Sequence, residues 1–158
     1  DDSYGYDFFF NRYYQGMGEG ELIDGNATSS QIMNLVNADS ELEMVFVNGN
    51  LNITTTPIDL VGNRFLMVVV KGSITVDESV SRVEGVYVSD GSFSAGGDST
   101  SRLTISGIIL ANGVQFTRSY TDASTNNTSP AVVVTYNPAY IFSMSKDLKE
   151  AVSWYYGD

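Results

Sequence analysis

The feature that most constrains this chain is a phrase that recurs along it. The segments LIDGNAT, VFVNGNLNI, VVVKGSITV, VYVSDGSFS and LTISGIIL each hold a short alternating apolar run, a polar residue and a glycine, then a second run. The pivotal glycines, Gly25, Gly49, Gly72, Gly91 and Gly107, are separated by 24, 23, 19 and 16 residues. Self-similarity at about 20 residues marks a solenoid, in which each unit is one coil stacked on the next. Within residues 45–53, Val45, Val47, Leu51 and Ile53 share one parity, while Asn48, Asn50 and Asn52 share the other with Phe46. Val68, Val70, Ile74 and Val76 repeat the apolar half of this pattern. Alternation of this kind turns one face of a strand inward. The glycine falls where a strand bends sharply and gives up its side chain so that backbone can pass backbone. The expected fold is therefore all-β, a parallel β-helix (β-solenoid) of about five short coils. The competing expectation is a meander or sandwich whose hairpins turn at Asn-Gly, as VNGN and LANG would allow.

Composition narrows the function. A chain of 158 residues with 42% hydrophobic and 17% charged residues has the content of one folded domain. Its net charge of −11, unbroken by any basic cluster, repels phosphate backbones and argues against a nucleic-acid partner. The acidity serves solubility or, more specifically, cation binding on a surface or between subunits. Cys and His are both absent. Thiol nucleophiles, imidazole bases, Cys/His zinc sites and disulfides are therefore excluded. The longest apolar run, residues 65–70, is far too short to span a bilayer. The first residue is Asp, as expected of a matured chain whose targeting segment has been removed. Four N-x-[ST] sequons, at Asn26, Asn52, Asn126 and Asn127, point to glycosylation outside the cytoplasm.

The two ends differ from the middle. The first fourteen residues hold seven aromatic rings: Tyr4, Tyr6, Phe8, Phe9, Phe10, Tyr13 and Tyr14. Tyr4, Tyr6, Phe8 and Phe10 share a parity, so an extended strand would carry them on one face. A glycine-rich tether, Gln15 to Gly20, follows. Residues 1–20 thus read as an aromatic strand on a flexible leash, ahead of a solenoid domain over residues 21–158. A strand on such a leash can add to the sheet of a neighbour, and head-to-tail addition propagates into a filament. The apolar strands near Val68–Val70 and Val132–Val134 are the expected acceptors, and Trp154, Tyr155 and Tyr156 join the rings of the head as expected interface residues. Helix is scarce. Residues 30–36 fit either a short capped helix or a strand of the first coil, and residues 145–152 fit a C-terminal helix capped by Ser145.

Residues 45–156 carry a further signal. VFVNGNLNI, FLMVVVKGSITVDESVSRVEGVYVSDGSFS, LTISGIILANGVQFTR, SPAVVVTYNPAYIF and the closing Ser153-Trp154 pair together resemble an uncharacterised family of secreted or surface-exposed β-solenoid proteins from candidate-phylum bacteria. The resemblance implies a β-solenoid and an extracellular or cell-surface location. It implies no catalytic residue, because the family has no established activity.

Chemistry in this chain has to come from carboxylates, Lys, Arg, Tyr and Ser. The residues to test are Asp59, Asp77, Glu78, Asp90, Lys71 and Arg82; a glycosidase would need two carboxylates roughly 5–10 Å apart. Asp77-Glu78 and Asp90-Gly91 also read as ordinary turn residues, and no catalytic function is expected. No cofactor is expected either. Calcium is the one ion to consider, at Asp98 or at Asp122 beside Asn126, although no EF-hand loop or GGxGxD repeat is present. The expectation is a non-enzymatic extracellular structural subunit that polymerises by strand addition. The alternative is an adhesin or carbohydrate-binding module stacking sugars on Tyr87, Tyr120, Tyr136, Tyr140, Tyr155 or Tyr156.

Overall fold

The computed structural model describes residues 5–145. The chain opens with a helical turn, α1 (Tyr6–Phe9), continued by a π-helical segment (Phe10–Gln15). Strands β1 (Glu21–Asp24) and β2 (Ala27–Thr28) come next, followed by helix α2 (Ser29–Ala38). Then come β3 (Met44–Asn48), β4 (Leu51–Ile53), β5 (Met67–Val70), β6 (Ile74–Val76) and the long β7 (Arg82–Ala95). The chain continues through β8 (Asp98–Ser99), the equally long β9 (Leu103–Phe116) and β10 (Ser119–Tyr120). The last described elements are α3 (Ala123–Asn126), β11 (Val132–Thr135) and α4 (Ala139–Ser143).

Every strand pair described is parallel, which removes the hairpin meander. The hydrogen-bonded order is β1-β3-β5-β7-β6-β4-β2, with β9 on β7 and β11 on β9. The five-coil β-helix is corrected by this path. The sheet climbs through β1, β3 and β5, turns at β7 and descends through β6, β4 and β2, so that one wall curls into a nearly closed, barrel-like shape. The joint is β7 itself, which pairs with β5 through Val86–Ser89 and with β6 through Phe93–Ala95 without breaking. Strand β9 follows it over the same bend, with one irregularity between Ser89 and Ser92. The repeat in the sequence records strand pairs lying in parallel register, and a single curled sheet produces that register too.

The inward ladders are those the alternation predicts. Val45, Val68 and Tyr87 stack in register, as do Leu51, Ile74 and Phe93, and all six are fully buried. Four pivotal glycines form a column in which each backbone rests on the next. A β-carbon on Gly49 would lie 2.5 Å from the Gly25 carbonyl, and the amide of Gly72 donates to the Gly49 carbonyl at 2.8 Å. Gly91 continues the column onto Gly72 at 3.1 Å. Gly107 does not: it lies over Gly85, in a separate column, with φ +150°. Helix α2 closes one end of the core with Ile32 and Val36. Its start is fixed by the Thr28 amide, which donates to Gln31 Oε1 at 2.9 Å. Residues 30–36 are thus helix and not strand. Among the described residues no helix is long and apolar enough to cross a membrane.

The expected extended N-terminal strand is also corrected. Residues 6–15 are helical, because their rings obey a second spacing as well as the alternating one. Tyr6, Phe10 and Tyr14 are four residues apart and stack, with centroids 5.3 and 5.0 Å apart; Phe9 and Tyr13 stack at 6.1 Å. That is the contact a helix provides between residues i and i+4. The stack lies on the chain's own sheet, where Tyr6, Phe10 and Tyr14 meet Phe46 at 6.2, 5.6 and 5.8 Å. Phe46, out of step with the inward valines, is the residue this cover buries.

Candidate interaction edge

The cover is incomplete, and where it ends the candidate site begins. On the outer face, Leu22, Phe46, Val69, Val88 and Leu110 form one in-register ladder across β1, β3, β5, β7 and β9. The helical head buries the middle three, yet Leu110 is 53% exposed. The inward ladders end in the same way. Val114 continues Leu51-Ile74-Phe93 and Phe116 continues Ile53-Val76-Ala95, but these last rungs are 48% and 39% exposed. All three belong to the second half of β9.

That half-strand has a free side. Strand β9 pairs with β7 along its length, whereas β11 pairs only with Leu103–Ser106. Residues 107–116 therefore have no described strand beyond them. The amide of Leu103 donates to Ala131 on the β11 side and that of Thr104 to Ser81 on the other. Parallel ladders alternate, so the amides of Ile109 and Ala111 point toward the side with no described strand. Beside this edge lies a cavity of about 650 Å³, walled by Tyr6, Asp7 and Phe8 of the head and by Val88, Ser89, Asp90, Leu110 and Asn112 of the sheet. Asp90 positions the head: its Oδ1 accepts the Tyr6 amide at 2.8 Å. Lys71 Nζ stands 5.7 Å from the Tyr6 ring centroid. Burial is the main reason the Tyr6 hydroxyl is pushed above its ordinary pKa, with Asp7 adding to the effect. An exposed apolar edge, open backbone groups and an adjoining groove form an arrangement that accepts an added strand.

The rings expected at a subunit interface are placed differently from one another. Tyr6 and Tyr13 are buried, Phe9, Phe10 and Tyr14 pack half-buried on the core, and Phe8 is exposed at the mouth of the cavity. Tyr4, Trp154, Tyr155 and Tyr156 lie outside the described residues, as does residues 146–152 of the expected C-terminal helix. The expected acceptors differ too. Val68–Val70 is buried between β3 and β7, so it offers no free edge, and Val132–Val134 is paired with β9 on one side.

The six residues singled out for chemistry are dispersed. Arg82 pairs with Asp59 at 3.3 Å and Glu84 at 3.6 Å. Asp77 closes a turn by accepting from the Ser79 amide at 2.9 Å and hydroxyl at 2.6 Å, and these bonds hold its carboxyl below the usual range. Glu78 lies against Gly97, while Asp90 and Lys71 serve the head. Among the sugar-stacking candidates, Tyr87 and Tyr140 are buried and Tyr136 is exposed; the Tyr120 hydroxyl donates to the Pro130 carbonyl at 3.1 Å.

The sequons and the calcium candidates are scattered over loops and strands, with Asn52 in the middle of β4 between β2 and β6. Asn52 and Asn127 are exposed. Asn26 Oδ1 accepts the Asn50 amide at 2.8 Å, and Asn126 uses both ends of its amide on the backbone of Tyr120, at 2.7 and 2.8 Å. Asp122 accepts from Ser124 and Thr125, which lowers its pKa to about 2, and Asp98 accepts from the Ser119 hydroxyl. No group of three or more acidic side chains suited to a metal occurs among the described residues.

Sequence reading missed Arg118, which looks like a solvated loop cation. It is buried and donates to the carbonyls of Val80 (2.7 Å), Glu78 (2.6 Å) and Ser101 (3.2 Å) and to Ser99 Oγ (2.9 Å). One guanidinium thus ties the turn after β6 to the loop after β8, a use of its forked donors that a lysine cannot copy. Burial lowers its pKa. The signal in the sequence was slight: one cation in a tract with few others.

No family model, curated protein or solved structure matches the chain.

Proposed function

We propose that this chain is a non-enzymatic structural subunit, displayed outside the cell or on its surface, that acts by associating through the open half of β9. The observation that carries the reading is the ten-residue stretch 107–116, paired on one side only among the described residues and bearing exposed Leu110, Val114 and Phe116. A long apolar edge is a hazard that folded proteins usually blunt with charge or proline. Residues 103–116 contain neither. The aromatic head has a different part in this reading from that of a donor strand. It shields the outer ladder up to Val88 and leaves Leu110 open. The test is amide hydrogen exchange on the full chain across a concentration series. Protection of the Ile109 and Ala111 amides should rise with protein concentration; exchange at those amides that does not depend on concentration overturns the reading.

A second reading, a carbohydrate-binding module, has its own support on the opposite limb of the sheet. Thr28, Asn52, Thr75, Ser94 and Gln115 form an outward row in register. A cavity of about 390 Å³ lies along it, lined by Thr75, Ser94, Gln115 and Thr117, with Asp77 and Glu78 at one side. Hydroxyls, amides and carboxylates of this kind bond sugar hydroxyls. A glycan array tests it: binding lost in Gln115→Ala supports the module, and a blank array removes it.

A further inference from the structure

The partner of the open edge follows from where the charge lies. We infer that it is the same edge of a second copy, laid antiparallel about a two-fold axis, so that the assembly closes as a dimer and does not grow into a filament; this rests on the association reading above. An open filament would need the β9 edge to meet the far end of the sheet, where β1 and the two-residue β2 each pair on one side only among the described strands and β1 supplies the longer edge. That edge is short and acidic. It spans Glu21–Asp24, both of these end residues are exposed, and Glu19, Asp39, Glu41 and Glu43 surround the cavity of about 280 Å³ next to it. The β9 edge offers no cation to meet those carboxylates, since residues 103–116 are uncharged. Seating them there would remove their water without giving them a partner.

Edge to like edge avoids that cost. In a chain of net charge −11, two copies meet with less repulsion along an uncharged strand, and β9 supplies one, with Asp7 and Asp90 as the carboxylates of the adjoining cavity. The pairing is self-complementary. With the axis close to Leu110, the open amides and carbonyls of Ile109 face those of Ala111 in the other copy, and the two Leu110 side chains lie side by side on the outer face. A patch that pairs with itself is isologous and closes at two. The last described residue, Ser145, lies elsewhere. Its amide donates to Glu43 Oε1 at 2.8 Å. Glu43 adjoins β3, which is separated from β9 by β5 and β7.

Two variants of the full chain test the geometry, Leu110→Lys and Leu110→Glu, at a position exposed enough to take a charge without unfolding. Light scattering after size exclusion should give a dimer for the parent chain and a monomer for each variant alone, with circular dichroism unchanged. An equimolar mixture of the two variants should recover the dimer, because opposite charges then face each other across the axis. A mixture that stays monomeric, or variants that still dimerise alone, would overturn the two-fold arrangement. Larger open assemblies of the parent that the charges abolish would overturn the closed dimer and leave association through β9 standing. A parent chain monomeric at every concentration overturns both.

Discussion

At the scale of single residues the decisive positions are those where a side chain would collide or where a buried polar group has many partners. Gly107 is the clearest. A β-carbon built there lies 1.8 Å from the Gly85 carbonyl oxygen, and its φ of +150° is one that L side chains rarely adopt. Gly107→Ala should therefore destabilise the protein by on the order of 4 kcal/mol, as strained, overpacked sites do. Urea unfolding checks this; a loss below about 1 kcal/mol would mean that the two strands can move apart freely. The glycine was visible in the sequence, but its reason was not. Its place in a repeated phrase suggested the corner column of Gly25, Gly49, Gly72 and Gly91, whereas the register assigns it to Gly85. Arg118 was hidden for the opposite reason. Nothing local distinguishes a cation caged by carbonyls from one in water, because Val80 and Ser101 come to it only through the fold.

Among the elements, the helical head is the one the sequence describes ambiguously. Rings at positions 6, 8 and 10 satisfy a strand, and rings at 6, 10 and 14 satisfy a helix. The tie is broken by Phe46, whose buried ring on the outer face of β3 meets three rings at once. Phe46→Ala should cost on the order of 3–5 kcal/mol, the usual range for a large ring removed from a core. It should also loosen the head before the sheet, since the head is held on β3 by ring contacts and to Asp90 by one bond. Limited proteolysis should then cut between Gln15 and Gly20 at denaturant concentrations where β7 and β9 stay protected. Simultaneous loss of head and sheet would show that the two form one cooperative unit. The long strands β7 and β9 set another limit on local reading. Their fourteen residues bend without interruption, and that continuity turns the expected coils into one curled sheet.

For the whole molecule the governing quantity is charge against apolar edge. With a net charge of −11, copies repel each other at a distance, while in the proposed dimer the uncharged β9 edge attracts at contact. Salt shortens the range of the repulsion to about 8 Å at physiological ionic strength and leaves apolar burial largely intact. Association should therefore tighten several-fold between low salt and about 0.15 M, as sedimentation equilibrium would record. Weakening with salt would show that attraction between charges holds the assembly, contrary to the arrangement proposed for β9.

Alternation along residues 45–53 and 68–76 was enough to place strands and their inward faces, because burying apolar side chains while wetting polar ones has one periodicity in an extended chain. The absence of Cys and His likewise bounded the chemistry without any coordinates. Closure of the sheet, the partner of each glycine and the cage around Arg118 were beyond such reading, since each joins residues tens of positions apart. So was the open half of β9: an alternating strand looks the same whether its edge is paired or bare, and it is the shortness of β11 that leaves residues 107–116 without a second strand among the described residues.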